Sequence, residues 1–282
     1  MQGKIVVVTG ASDGIGKEAA RGLAAKGAHV VMVVRNPAKG EAAADEIRRT
    51  AAGPVELVEG DLASLASVRD LAGALLDKYP RIDVLLSNAG CYRLSRQVTV
   101  DGFEEVFAVN HLAPFLLTNL LLDRLRESAP SRVVVVASDA HLGRSLDFDD
   151  LQSERSYKSM NVYGKSKLAN VMFTYALARR LEGSGVTANS LHPGFVATNL
   201  GSGNRIPVKP FMFLFRLTGR AISVKQGADT PIYLASSPEV EGVSGEYFER
   251  RRPRVSSPQS LNTDDQERLW RMSAEMVRLG AE

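Results

Sequence analysis

The chain has 282 residues, 35 basic against 32 acidic for a formal net charge of +3, 44% hydrophobic residues and one cysteine. That length suits one large domain with an ample core. The near-balanced charge argues against nucleic-acid binding, and a single Cys91 excludes an internal disulfide or a cysteine-rich zinc site.

No apolar run approaches the ~18 residues that span a bilayer. Lys4 leads directly into a short apolar stretch, so the expectation is a soluble, cytoplasmic chain without leader or anchor. Strand and helix signals then alternate. Ile5–Thr9 is a β-branched run ending in a glycine-rich turn, followed by a helix from Ile15 to Lys26 that stops at Gly27. His29–Val34 is a second strand, Glu41–Thr50 a polar helix, Val55–Glu59 a third strand, and Ser64–Lys78 a helix with Ser64 as its cap. Strands at Ile82–Ser87 and Arg132–Ala137 flank a long helix around Phe103–Arg126. A helix at Ser159–Glu182, a strand at Val186–Leu191, a helix near Lys225–Ala235 and a strand near Glu246–Glu249 complete the series. Apolar strands, each followed by a helix, predict a parallel sheet covered on both faces. Right-handed crossovers make it a doubly wound, Rossmann-type α/β fold. One domain over residues 1–282 is expected, with a substrate lid over 201–219, where Pro207 and Pro210 precede an aromatic cluster, and a tail over 250–282.

The first turn reads Thr9-Gly10-Ala11-Ser12-Asp13-Gly14-Ile15-Gly16. Glycines let a backbone approach a pyrophosphate, and the helix N-terminus behind them offers N–H groups and partial positive charge. The spacing is G-x-x-x-G-x-G, so its position at the first strand of an α/β pattern carries the nucleotide reading. The same residues spell G-x-S-x-G, the nucleophile elbow of α/β-hydrolases, with Ser12 as nucleophile and His192 as base. No earlier strand could complete that oxyanion hole, and no HGGG-type motif appears. After the second strand stand Arg35 and Asn36 where an acid would hold the 2′-OH of NAD. A guanidinium suits the 2′-phosphate, so NADP(H) is expected over NAD(H), with Asp13 as a contrary charge.

Tyr163 and Lys167 are four apart on one helical face. A neighbouring ammonium is expected to lower the phenol's pKa from about 10 and ready it for proton exchange with a carbonyl or alcohol. Taken with the glycine turn, Asp61-Leu62, Asn88-Ala89-Gly90, Asn110, Ser138 and Pro193-Gly194, this pair resembles the short-chain dehydrogenase/reductase family, from Lys4 to about Trp270. Val109–Phe115, Asp150–Glu154 and Ser166–Val171 resemble its retinol dehydrogenase-like branch more narrowly. The resemblance implies Tyr163 as general acid/base, Lys167 as its tuning partner and nicotinamide-ribose ligand, Ser138 as hydrogen-bond donor to the reacting oxygen, and Asn110 as holder of a relay water. It implies Gly10, Ser12, Asp13, Gly14, Ile15 and Gly16 around the pyrophosphate. Asp61 and Leu62 would flank the adenine, Asn88 and Gly90 the adenosine side of the nicotinamide half, with Ala89 also binding the cofactor. Pro193, Gly194, Val196 and Thr198 would lie at the nicotinamide. Ser87 and Ala137 depart mildly from the family pattern, and the stretch between Ser138 and Tyr163 is longer than in many members, as it is in the retinol dehydrogenase-like branch.

The four histidines are scattered, and no metal site is expected. His141 lies close enough in sequence to Ser138 to touch the site, and His192 is placed to orient the Pro193-Gly194 loop. Cys91 is read as an inert thiol, and Glu249–Arg254 as a solvated basic turn. The Phe115–Leu122 helix is apolar almost all round, which predicts core burial plus a subunit interface in a homodimer or homotetramer. The combined expectation is an NADP(H)-dependent oxidoreductase for the carbonyl or alcohol of an apolar, retinal-like substrate. A non-catalytic NADP sensor and the Ser12 hydrolase are the alternatives.

Overall fold

The structure is a computed structural model that describes residues 1–196 and 222–280. The expected lid at 201–219, with Phe211, Met212, Phe213, Leu214 and Phe215, and the expected ligand Thr198 lie outside the described residues.

Strands β1 (Ile5–Thr9), β2 (His29–Val34), β3 (Val55–Glu59), β4 (Val84–Ser87), β5 (Ser131–Val136), β6 (Val186–His192), β7 (Tyr247–Glu249) and β8 (Arg252–Pro253) form one sheet in the order β3-β2-β1-β4-β5-β6-β7-β8. All pairings are parallel except β7 with β8. The order reverses between β1 and β4, and ligands bind at such a switch point, beyond the carboxyl ends of the strands. Central strands bury both faces because their side chains alternate between two cores. Val7, Val31, Leu85, Val133 and Val135 face one core, and Val6, Val8, Val30, Met32 and Val134 face the other.

Helices α1 (Gly14–Ala25) and α2 (Pro37–Arg48) cover one face, and α3 (Leu65–Lys78) the other. The Ser64 hydroxyl caps α3 by accepting from Ser67 N. Helix α2 starts four residues before the expected Glu41, because Asn36 accepts from Lys39 N and Pro37 fits the first turn of a helix. The long helix expected over Phe103–Arg126 is a composite. It comprises α4 (Glu105–Phe107), a π-turn at Ala108–Leu112, α5 (Ala113–Leu120) and α6 (Leu122–Glu127). Pro114 has no N–H to give to the carbonyl of Asn110 four residues earlier. The wider turn accommodates it, with Ala113 N donating to Ala108 O. Helix α7 (Ser159–Arg180) follows, then α8 (Val224–Ser236) and α9 (Thr263–Met276).

Helix α9 takes part in burying the apolar α5 segment. Phe115, Leu116 and Leu117 are wholly buried within this chain. Trp270 of α9 meets Phe115 edge-on at 4.9 Å between ring centroids and stacks on Phe173 of α7 at 5.8 Å. The Arg180 guanidinium lies 4.0 Å over the Trp270 ring and, with Arg179, pairs with Glu267. The expected core burial of this segment is therefore met within the chain, with Phe115 covered by the chain's own C-terminal helix. No helix among the described residues is long and apolar enough to cross a membrane.

His111, in the π-turn, is completely buried against Phe107, Phe115 and Phe173, and its Nε2 lies 2.9 Å from Ser273 Oγ of α9. Burial pulls its imidazole from 6.5 down to about 4. The unfolded chain binds this proton near pH 6.5 and the folded chain only near 4, so its contribution is intact above 6.5 and is lost as pH falls between those values. From pH 7 to pH 5 the wild type is expected to lose about 2 kcal/mol more stability than His111→Gln. Denaturant unfolding at the two pH values checks this, and equal losses would contradict it.

Candidate active site

The glycine turn is built against the end of β4. Thr9 Oγ1 accepts from Asn88 N and Ala89 N, both at 3.0 Å, and Asn88 Nδ2 donates to Thr9 O at 2.9 Å. Asn88 thus spends its amide nitrogen on holding the turn. Gly10 has φ +65°, and a Cβ there would lie 2.9 Å from Ala89 Cα. A Cβ on Gly16 would fall 2.3 Å from Asn88 Nδ2 and 2.4 Å from Gly10 O. Any side chain at either position pushes α1 away from the sheet edge.

Asp13 is the cap of α1. Its Oδ1 accepts from Gly14 N at 2.7 Å, and its Oδ2 pairs with Lys39 Nζ at 2.7 Å. The contrary charge expected at Asp13 is thus offset by an ammonium from α2. Lys39, which was not singled out in the sequence, joins Arg35 and Asn36 beyond the end of β2, all three exposed. Asp61 Oδ1 accepts from Ala63 N, and Leu62 packs on the α3 side of the sheet. The Pro193–Val196 loop runs toward the start of α1. A Cβ on Gly227 would touch Val196, Ile15 and the Pro193 carbonyl together. Ser12 and His192 stand at the ends of β1 and β6, with β4 and β5 between them. Three steps of about 4.8 Å keep them from acting as a hydrolase pair.

Ser138, Tyr163, Lys167 and Asn110 converge at the ends of β4 and β5. Ser138 is extended (φ −170°), and its hydroxyl accepts from Ala140 N at 3.2 Å. Lys167 is 3% exposed, and its Nζ donates to Val136 O at 2.9 Å and lies 5.7 Å from the Tyr163 ring centroid. Asn110 Oδ1 accepts from Cys91 N at 2.7 Å, while its Nδ2 donates to Cys91 O at 3.1 Å and to Ser166 Oγ at 2.9 Å. The π-turn therefore fixes the loop after Gly90 to helix α7. A Cβ on Gly90 would lie 3.1 Å from Asn110 Oδ1 and 3.5 Å from Lys167 Nζ.

The electrostatics correct one expectation. Burial pushes the Tyr163 phenol up to about 12 against a hydrogen bond from Ser138 that pulls it down. Burial also brings the Lys167 ammonium down to about 8. In the chain alone desolvation dominates, so Tyr163 rests protonated. Cys91 is likewise pushed up to about 12, an inert thiol.

The family model for short chain dehydrogenases matches residues 4–206. The chain belongs to the short-chain dehydrogenase family. It is 48% identical to "Retinol dehydrogenase 14" of Homo sapiens, over 99% of this chain and 88% of that protein. It is 43% identical to "Retinol dehydrogenase 13" of Homo sapiens, over 99% and 86%. A putative uncharacterized protein from Mycobacterium paratuberculosis superposes with a TM-score of 0.80 at 36% identity, over 98% of this chain and 94% of that one. The "RhlG/NADP active-site complex" of Pseudomonas aeruginosa gives 0.73 at 28%, over 88% and 94%. The chain is thus a retinol dehydrogenase-like oxidoreductase of the alcohol/carbonyl class with a nicotinamide cofactor.

The residues present fit that cofactor. The first-turn N–H groups of α1 lack intrahelical acceptors, and the buried Lys167 ammonium uses one of its three donors on Val136. A cluster of metal-ligating type also lies at this edge, where Asp139, His192 and Glu249 converge within 4.8 Å. The Arg254 guanidinium pairs with both carboxylates, so the chain supplies their cation itself. The network joins residues far apart in sequence and has no local signature. Gly16→Ala is expected to weaken NADP(H) binding at least tenfold and to cost about 1–3 kcal/mol of stability by overpacking. Nucleotide fluorescence titration and denaturant unfolding check this, and unchanged binding would contradict it.

Proposed function

We propose that this short-chain dehydrogenase interconverts lipophilic, retinal-like aldehydes or ketones and their alcohols, with NADP(H) favoured over NAD(H). The observation that carries the substrate class is a set of exposed apolar side chains on the segments that bear the site residues. Leu94, Leu142, Met160 and Phe195 are among the few large hydrophobic side chains left exposed. Each stands on a segment that bears a site residue. Leu94 follows Gly90, Leu142 follows Ser138, Met160 is one turn before Tyr163, and Phe195 follows Gly194. Exposed apolar groups on the segments that carry a polar site suit an apolar ligand. The names of the human relatives point the same way.

Arg35 and Lys39 support the cofactor preference, since two cations beyond β2 suit a 2′-phosphate and Lys39 also offsets Asp13. The nicotinamide supplies or accepts the hydride. In reduction, Tyr163 Oη gives its proton to the substrate oxygen while Ser138 Oγ donates a hydrogen bond to that oxygen. A protonated Tyr163 is the form this direction requires. Lys167 then favours the phenolate left behind until a proton returns from solvent, and Asn110 keeps the loop beside Lys167 in place.

In a panel of lipophilic aldehydes with NADPH, the wild type is expected to turn over and Tyr163→Phe to lose about 10²–10⁴-fold in kcat. Nucleotide binding without turnover of any carbonyl would favour the sensor reading. Arg35→Asp is expected to lower the NADPH:NADH preference in kcat/KM at least tenfold, and an unchanged ratio would remove the NADP assignment.

A further inference from the structure

The peptide unit that follows Ser138 is gripped at both ends by a histidine ring. Its carbonyl, Ser138 O, lies 2.7 Å from His141 Nδ1. Its N–H, on Asp139, donates to His192 Nδ1 at 3.2 Å. The partners settle the tautomers. Ser257 N–H donates to His141 Nε2 at 3.2 Å, so the His141 proton sits on Nδ1 and is given to Ser138 O. His192 Nδ1 accepts, so its proton sits on Nε2, which faces Asp139 Oδ2 at 3.5 Å. His141 is completely buried, with its ring edge-on to Tyr247 at 4.9 Å. The Asp139 carboxylate is anchored separately by the Tyr247 hydroxyl at 2.8 Å and by Arg254 at 3.4 Å.

We propose that His141 and His192 form a clamp that positions Ser138. The proposal rests on the reading of Ser138 and Tyr163 as the residues that contact the reacting oxygen. The His141 backbone N–H also donates to Ser138 O at 3.1 Å, so the two rings reinforce a turn that fixes ψ of Ser138, and Ala140 N–H in the same turn holds the hydroxyl. The clamp also ties Ser138 to two distant parts of the chain. His192 immediately precedes the Pro193-Gly194 loop, and Ser257 belongs to the segment after β8. The serine, the nicotinamide-side loop and the C-terminal tail are thereby held in one register. A misplacement of about 1 Å at a reacting centre can cost on the order of 10²-fold. Neither histidine reaches the reacting atoms in this scheme; both act through the Ser138–Asp139 peptide.

The test uses the full chain with NADPH and a lipophilic aldehyde, measuring kcat, both KM values and thermal unfolding. His141→Phe fills the ring's space without either hydrogen bond, and kcat is expected to fall at least tenfold while KM for NADPH stays within twofold. His141→Asn keeps a side-chain donor toward Ser138 O and is expected to recover most of kcat. His192→Asn retains an acceptor for Asp139 N–H and should exceed His192→Leu in the same way. Should His141→Phe fail to fold, His192→Leu removes the acceptor for Asp139 N–H at the other end of the same peptide. It is expected to lower kcat severalfold with KM for NADPH unchanged. Wild-type kcat in a folded His141→Phe or in His192→Leu, or His141→Asn as impaired as His141→Phe, overturns the clamp. Ser138→Ala and Tyr163→Phe are the references. If they keep full activity, the assignment of the reacting pair falls, and the clamp with it. If they are inactive while His141→Phe is normal, the clamp alone falls.

Discussion

The arrangement at the carboxyl edge of the sheet turns on one buried charge. Lys167 carries an ammonium into a place that is 3% exposed, with a single described acceptor, Val136 O at 2.9 Å. A buried charge with so little compensation is costly and loses basicity, which is why the ammonium is drawn down to about 8. The same burial raises the Tyr163 phenol to about 12. The surroundings follow from accommodating this pair. Gly90 lacks a side chain because a Cβ would crowd Asn110 and Lys167, and Asn110 binds the Cys91 backbone at both its polar atoms. The π-turn that presents Asn110 is the local consequence of Pro114. The remaining ammonium donors are where the sugar hydroxyls of a nicotinamide nucleotide fit in the proposed function.

Much of this was legible in the sequence because it is locally encoded. Runs such as Val6-Val7-Val8 and Val133-Val134-Val135 cannot leave either face exposed, so the two-sided parallel sheet follows from composition and order. Ser64 was recognisable as a cap from residue type and position alone. The glycine turn and the Tyr163/Lys167 spacing are likewise short-range patterns. What was not legible depends on contacts between distant segments. Lys39 meets Asp13 only because α1 and α2 lie side by side. Trp270 covers Phe115 only once α9 has folded back on α7. The direction of the Tyr163 shift was misjudged for the same reason. Spacing shows that an ammonium is near but not how dry the site is.

The C-terminal segment is more than a tail. Tyr247 and Arg254 hold Asp139, Ser257 meets His141, and α9 seals His111 and Phe115. The part of the chain furthest in sequence from the glycine turn therefore supports both the core and the edge that bears Ser138. The surplus of length over the nucleotide-binding sheet is partly spent on this support.

The most direct test of the account is a spectrophotometric titration of Tyr163 in the chain without nucleotide, read as the phenolate absorbance of wild type minus Tyr163→Phe. The account predicts no phenolate signal from Tyr163 up to pH 10, because burial raises the phenol to about 12 and the Lys167 amine, brought down to about 8, is no longer charged at that pH. Ionisation with a midpoint at or below 10 would contradict it and would mean that desolvation does not govern the site.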